Sequence, residues 1–189
     1  MSAISLSDFF QSIEETLKYI FDSIRTEDPA KLDSAESSIN NLSTIINSQQ
    51  ACNIQSTDAA KRNLGIRLDK ITINLSRLIN VLKNKTNKNI IFSEKALQEI
   101  EYLIGTIKHL SKCLKDATAT KNDVLNKYII ETANTLENTA ANFATEHKER
   151  LTGGICQAQA SAIFIDLINT LKENSYHFKE MGRQISCFR

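Results

Sequence analysis

LDKITINLSRLINVL, residues 68–82, sets Leu68, Ile71, Leu75, Leu78 and Leu82 at alternating steps of three and four. Such steps bring an apolar side chain back to one face of a 3.6-residue helix at each turn, the pattern of a heptad seam. Leu64 extends the seam one step upstream. A half-buried strand would instead alternate at every second residue. A helix with this stripe cannot bury it alone, so the segment predicts packing against other helices.

Periodic runs on either side complete an all-α reading with six helices. Upstream, a helix after Ser5 aligns Leu6, Phe9, Ile13, Leu17, Ile20 and Ile24, with Asp8 in its first turn, and stops near Thr26. Asp28-Pro29 then marks a start, since Asp can cap and Pro at the first helical position loses only an N–H that would be orphaned anyway. The second helix passes through Leu32, Ala35, Ile39, Leu42 and Ile46 to a polar stretch, SQQACNIQ, read as a loop, and the seamed helix opens near Ser56-Thr57. Downstream, NKTNKN has no apolar residue and reads as a linker. Ser93 caps a fourth helix through Ile100, Ile107 and Leu114; Thr120 with Asp123 resembles a capping box for a fifth, which stops at Gly153-Gly154. The sixth carries Phe164, Leu167, Leu171, Phe178 and Ile185. Three helices, a linker and three more predict two tandem antiparallel three-helix bundles, residues 1–84 and 93–189 joined by 85–92, with helix above about three-quarters of the chain. One irregular six-helix bundle is the alternative.

Composition agrees. Of 189 residues, 41% are hydrophobic and 24% charged, with five glycines, one proline and no tryptophan, too little turn punctuation for a many-stranded β fold. The net charge of +1 gives no overall attraction to nucleic acid or to an anionic membrane. No run approaches a spanning helix and no signal-peptide pattern opens the chain, so the expected location is cytoplasmic. Cys52, Cys113, Cys156 and Cys187 lack zinc-type spacing and read as reduced packing residues.

Catalytic patterns are missing as well. His109, His147 and His177 form no H-x-x-x-H or E-x-x-H pair, and the chain has no P-loop, dinucleotide fingerprint or G-x-S-x-G elbow. Gly153-Gly154 between two helical runs is a helix stop. Lys83, Lys85 and Lys88 form a basic cluster that reads as solvated surface, or as a weak docking patch for an anionic partner. His147 and Arg150 fall near a helix C-terminus, where the dipole favours cations.

EHKERL (146–151), the Gly153-Gly154 break and ASAIFIDLINTLKENSYHF (160–178) resemble the second half of the PhoU-like helical domain, including the version attached to bacterial sodium/phosphate cotransporters. Residues 68–82 echo the first half, and IFSEKAL (91–97) resembles the start of the second bundle. The resemblance implies two three-helix bundles in tandem and a role in phosphate uptake or its signalling. It also implies acidic motifs, E/D-x-x-x-D, on the third and sixth helices, where carboxylates one turn apart hold metal clusters.

This chain departs from that pattern. Ser76 and Asn80 stand at the acidic positions of the third helix, and Lys172 and Tyr176 at those of the sixth. Neutral or cationic groups cannot offset the charge of bound cations. The expectation is therefore a noncatalytic regulatory or scaffold protein without cofactor or metal. It would dock a phosphate transporter or sensor component, itself or as a homo-oligomer, with no nucleic-acid partner and no direct membrane insertion. It would sit in the cytoplasm, or at the inner face of the membrane through a partner or a membrane segment outside this chain. Two alternatives stand beside it: a degenerate metal site using Asp166, Glu173 and His177, and a helical adaptor unrelated to phosphate.

Overall fold

A computed structural model describes residues 6–53 and 59–185, the side chains of 45, 47–53, 60 and 61 excepted. Helix takes 91% of the described residues and no strand occurs among them. The elements are α1 (Leu6–Thr26), α2 (Pro29–Asn53), α3 (Ala59–Asn87), α4 (Glu94–Thr120), α5 (Asp123–Thr152) and α6 (Ala158–Ile185). Ser5, the Ser56-Thr57 start, and the side chains of Cys52 and Cys187 lie outside the described residues. Cys113 and Cys156 are free thiols, Cys113 buried and Cys156 partly so.

The helix boundaries follow local chemistry. Asp28 Oδ1 accepts from the Ala30 amide at 2.9 Å, and Pro29 is the first residue of α2. Ser93 Oγ accepts from the Ala96 amide at 3.3 Å and caps α4. The stop at Gly153-Gly154 is a Schellman motif: Gly154 takes φ +72°, the Ile155 amide donates to Arg150 O at 2.9 Å, and the Gly154 amide to Leu151 O at 3.0 Å.

Three boundaries differ from the sequence expectation. Ser48 to Asn53, read as loop, continues α2, because Gln and Ala favour helix and no Gly or Pro interrupts them. The first residues of the expected 85–92 linker continue α3 to Asn87. The stop there is a second Schellman motif, with Asn89 at φ 50° in the place glycine usually takes and the Ile90 amide donating to Lys85 O at 3.0 Å. Thr120 does not cap α5. It ends α4, its hydroxyl donating to Asp116 O, while Asn122 Oδ1 accepts from the Val124 amide at 2.9 Å and caps α5.

Packing joins α1 to α2 and α2 to α3, then α3 to α6, α6 to α4 and α4 back to α1, a closed circuit of five helices. α5 lies against both α4 and α6. One hydrophobic core runs through the molecule, with Phe10, Leu17, Leu75, Ile104, Phe164 and Phe178 all fully buried within it. α3 and α6 run antiparallel, as Arg77 meets Asp166 near one end and Arg67 meets His177 near the other. No helix among the described residues is long and apolar enough to cross a membrane.

Candidate docking face between α3 and α6

The inner seam of α3 is as the sequence predicts: Ile71, Leu75 and Leu78 are completely buried and Leu68 and Leu82 nearly so. Burying that seam fixes which residues α3 presents outward. Ser76, Arg77 and Asn80, with Ile73, Val81 and Asn84, line a shallow groove on its outer side. A second groove holds Arg77 again, with Glu137 of α5 and Asn169, Lys172, Glu173, Tyr176 and His177 of α6. Arg77 is thus the ridge between two grooves. The positions singled out by the sequence on both helices, Ser76, Asn80, Lys172 and Tyr176, are brought to this one face.

The face is rich in cations and amides. Arg77 is ion-paired with Asp166, both groups partly exposed. Arg67 Nη1 donates to His177 Nδ1 at 3.3 Å, and its guanidinium lies 5.3 Å from the Tyr176 ring centre. The Lys179 ammonium sits 5.5 Å over the same ring and pairs with Glu137 at 2.7 Å. Burial, then the charges of Arg67 and Lys70, push the His177 pKa below its ordinary value, so the ring is a neutral acceptor near pH 7.

Asp166, Glu173 and His177, the candidate ligands, do not converge. Asp166 is held by Arg77, His177 by Arg67, and Glu173 is exposed. Among the described residues no three His, Cys, Asp or Glu side chains come together as a metal site. Glu173 and His177 stand one helical turn apart, yet the histidine turns across to α3, where the Arg67 guanidinium donates to a ring nitrogen that a carboxylate, an acceptor only, could not satisfy.

Elsewhere the sequence reading undervalued two groups of residues. Lys83 is not a free docking cation: its ammonium pairs with Asp33 at 2.7 Å and Glu36 at 2.8 Å, and hydrogen bonds to these carboxylates raise its pKa. Lys85 pairs with Glu27 at 3.3 Å and lies 5.3 Å over Phe92. His147 and Arg150 are not placed by the helix dipole alone. Arg150 donates to both oxygens of buried Glu99, at 3.1 and 2.7 Å, and to His147 Nδ1 at 3.2 Å. The His147 ring stacks on Phe164, centroids 4.1 Å apart, and burial, then the charge of Arg150, push its pKa down. Only the occurrence of Glu99 on an otherwise apolar helix face, one residue before Ile100, signalled this cluster in the sequence.

No protein-family model matches this chain, and no curated protein matches it.

Proposed function

We infer that the chain is a noncatalytic regulatory or scaffold protein of PhoU-like type, two three-helix units in tandem, that links a protein partner to phosphate uptake or phosphate signalling. The observation that carries the reading is the face shared by α3 and α6. The positions matched to the metal-binding carboxylates of the PhoU-like pattern line the two grooves flanking Arg77, with Ser76 and Asn80 in one and Lys172 and Tyr176 in the other. Arg77 stands between them, engaged with Asp166. Such a face offers a cation little, because it lacks the cluster of oxygen anions that must replace hydration and balance charge. It offers a protein surface more: amide donors and acceptors, exposed cations and half-exposed Ile73 and Tyr176. The tandem reading is supported by the count of six long helices, three on each side of the turn at residues 88–93.

The test is genetic and chemical. Deleting the gene in the cells that make the protein should change phosphate uptake or phosphate-responsive expression. Wild type should restore it, and the pair Lys172→Glu with Arg77→Glu should not. An unchanged phosphate response would leave a helical adaptor outside phosphate physiology. Stoichiometric iron, manganese or zinc on dialysed protein would favour the metal-binding alternative.

A further inference from the structure

α3 carries a second seam. Ile66, Lys70, Ile73, Arg77, Asn80 and Asn84 repeat the four-and-three spacing of the inner one, displaced from it by two residues. At about 100° per residue, that displacement turns the second seam roughly 200° away, onto the opposite side of the helix. The inner seam is covered by the rest of the protein, and the outer one is open. Ile66 and Ile73 are each 50% exposed, and Lys70, Arg77, Asn80 and Asn84 are exposed as well.

Its charge is one-sided. The seam itself carries two cations, Lys70 and Arg77, and no acidic residue, in a chain whose net charge is only +1. Cations at the C-terminal end of the helix are answered from within the molecule, Lys83 by Asp33 and Glu36, Lys85 by Glu27. On the outer seam the balance is incomplete: Arg77 has Asp166, while Lys70 makes no ion pair among the described residues. Two isoleucines seven residues apart, each followed four residues on by a cation, Lys70 and Arg77, present a short half of a helix pair that a complementary acidic half would complete.

We propose that the outer seam of α3 docks an acidic amphipathic helix of a partner protein. Its apolar side chains would seat against Ile66 and Ile73, and its carboxylates would face Lys70 and Arg77. The grooves on the two sides of Arg77 suit a rod laid along α3. A flat lipid surface fits less well, because its binding draws on bulky side chains that project beyond the polar groups, and these two isoleucines are half buried. Pairing with α3 of a second copy would set lysine and arginine against lysine and arginine, a repulsive register. The proposal rests on the docking reading above and does not need its link to phosphate.

The experiment places a photo-crosslinking amino acid at position 73 of the full chain, in cells that make the protein, with a control at exposed Tyr102 on α4. The crosslinked segment is sequenced by mass spectrometry. The expected adduct is a peptide of another protein with apolar residues at three-and-four spacing and Asp or Glu between them, formed at position 73 and not at 102. Lys70→Glu with Arg77→Gln should cut its yield at least tenfold while circular dichroism stays that of the wild type. An adduct to lipid, nucleic acid or α3 of a second copy overturns the proposal. So does a peptide without acidic residues, an adduct indifferent to the charge change, or no adduct above the control. The phosphate response of the deletion strain is a separate readout, so the docking surface and the physiological reading can fail independently.

Discussion

In the second half of the molecule α4, α5 and α6 all pack on one another, whereas in the first α1 and α3 are both held by α2 but lean on α4 and α6 rather than broadly on each other. The halves also treat charge differently. The second buries a carboxylate, Glu99, 2% exposed at its side chain, against Arg150 and stacked His147. The first keeps the Lys83 pairs near the surface, with Asp33 71% and Glu36 46% exposed. The second half therefore has all three of its helices in mutual contact, in addition to the faces α4 and α6 turn to α1 and α3, and it carries an internal ion pair. The first half lacks a broad α1–α3 contact and completes its core against α4 and α6, with the Lys83 pairs near the surface.

The largest consequence concerns dissection. Residues 93–189 alone should unfold cooperatively on heating, because every helix there has two partners within the fragment. Residues 1–92 alone should melt broadly, since the faces α1 and α3 turn to α4 and α6 would be left in water. Two equally cooperative fragments, followed by far-ultraviolet circular dichroism, would erase the contrast between the halves.

Next in size is the buried pair. Arg150→Met should destabilise the protein by about 3–5 kcal/mol, because buried Glu99 would lose its bidentate partner and keep only the exposed Lys95 ammonium at 3.5 Å. Removing both members, Glu99→Leu with Arg150→Met, should recover most of the loss in chemical denaturation. Recovery is the informative result, since it separates the cost of an orphaned charge from the worth of the pair.

Leu75→Ala on the inner seam should cost roughly 2–5 kcal/mol, since the side chain is fully buried and its removal leaves a cavity as well as lost burial. A wild-type melting temperature would mean that the seam is not part of the core.

Much of this was legible from spacing. Leu68 to Leu82 identified α3 and its buried face, and Asp28-Pro29, Ser93 and Gly153-Gly154 fixed three helix ends, because each rests on contacts within a few residues. What the sequence hid was non-local. Nothing near His177 announces that it will turn to Arg67, 110 residues away, in preference to Glu173 one turn off. The same holds for Arg150, whose partner lies on another helix and whose apparent local reason, a helix C-terminus, was sufficient but incomplete. The α3 stop at Asn89 escaped for a subtler reason: asparagine enters the left-handed region less readily than glycine, so its presence in a polar run reads as loop in general rather than as one particular turn.

Acid should weaken the second half. Unfolded, a histidine takes up its proton near pH 6.5; in the folded protein burial and the charge of Arg150 hold His147 neutral to lower pH, and burial with Arg67 and Lys70 does the same for His177. Below about 6.5 the unfolded chain binds more protons than the folded one. Stability is then complete above that value and falls as pH drops through it toward the folded-state pKa values. His147→Phe, which keeps a ring against Phe164, should flatten this slope in urea midpoints measured from pH 7.5 to 5. A slope unchanged by the substitution would remove His147 from the account.

The smallest effect belongs to the first half. Lys83 is 29% exposed at its side chain and its two carboxylate partners more so, so water and salt screen the attraction that the short distances suggest. Lys83→Met should therefore cost only about 0–1 kcal/mol, and the difference from wild type should shrink further at high salt, because counterions reach the exposed carboxylates. Arg150→Met should show no such relief, because Glu99 has almost no surface for counterions to reach. Thermal unfolding of both variants at low and high salt reads the contrast directly. A Lys83→Met loss as large and as salt-resistant as that of Arg150→Met would mean that the carboxylates of α2 are shielded to the same degree as Glu99, and that the two halves hold their charges in the same way after all.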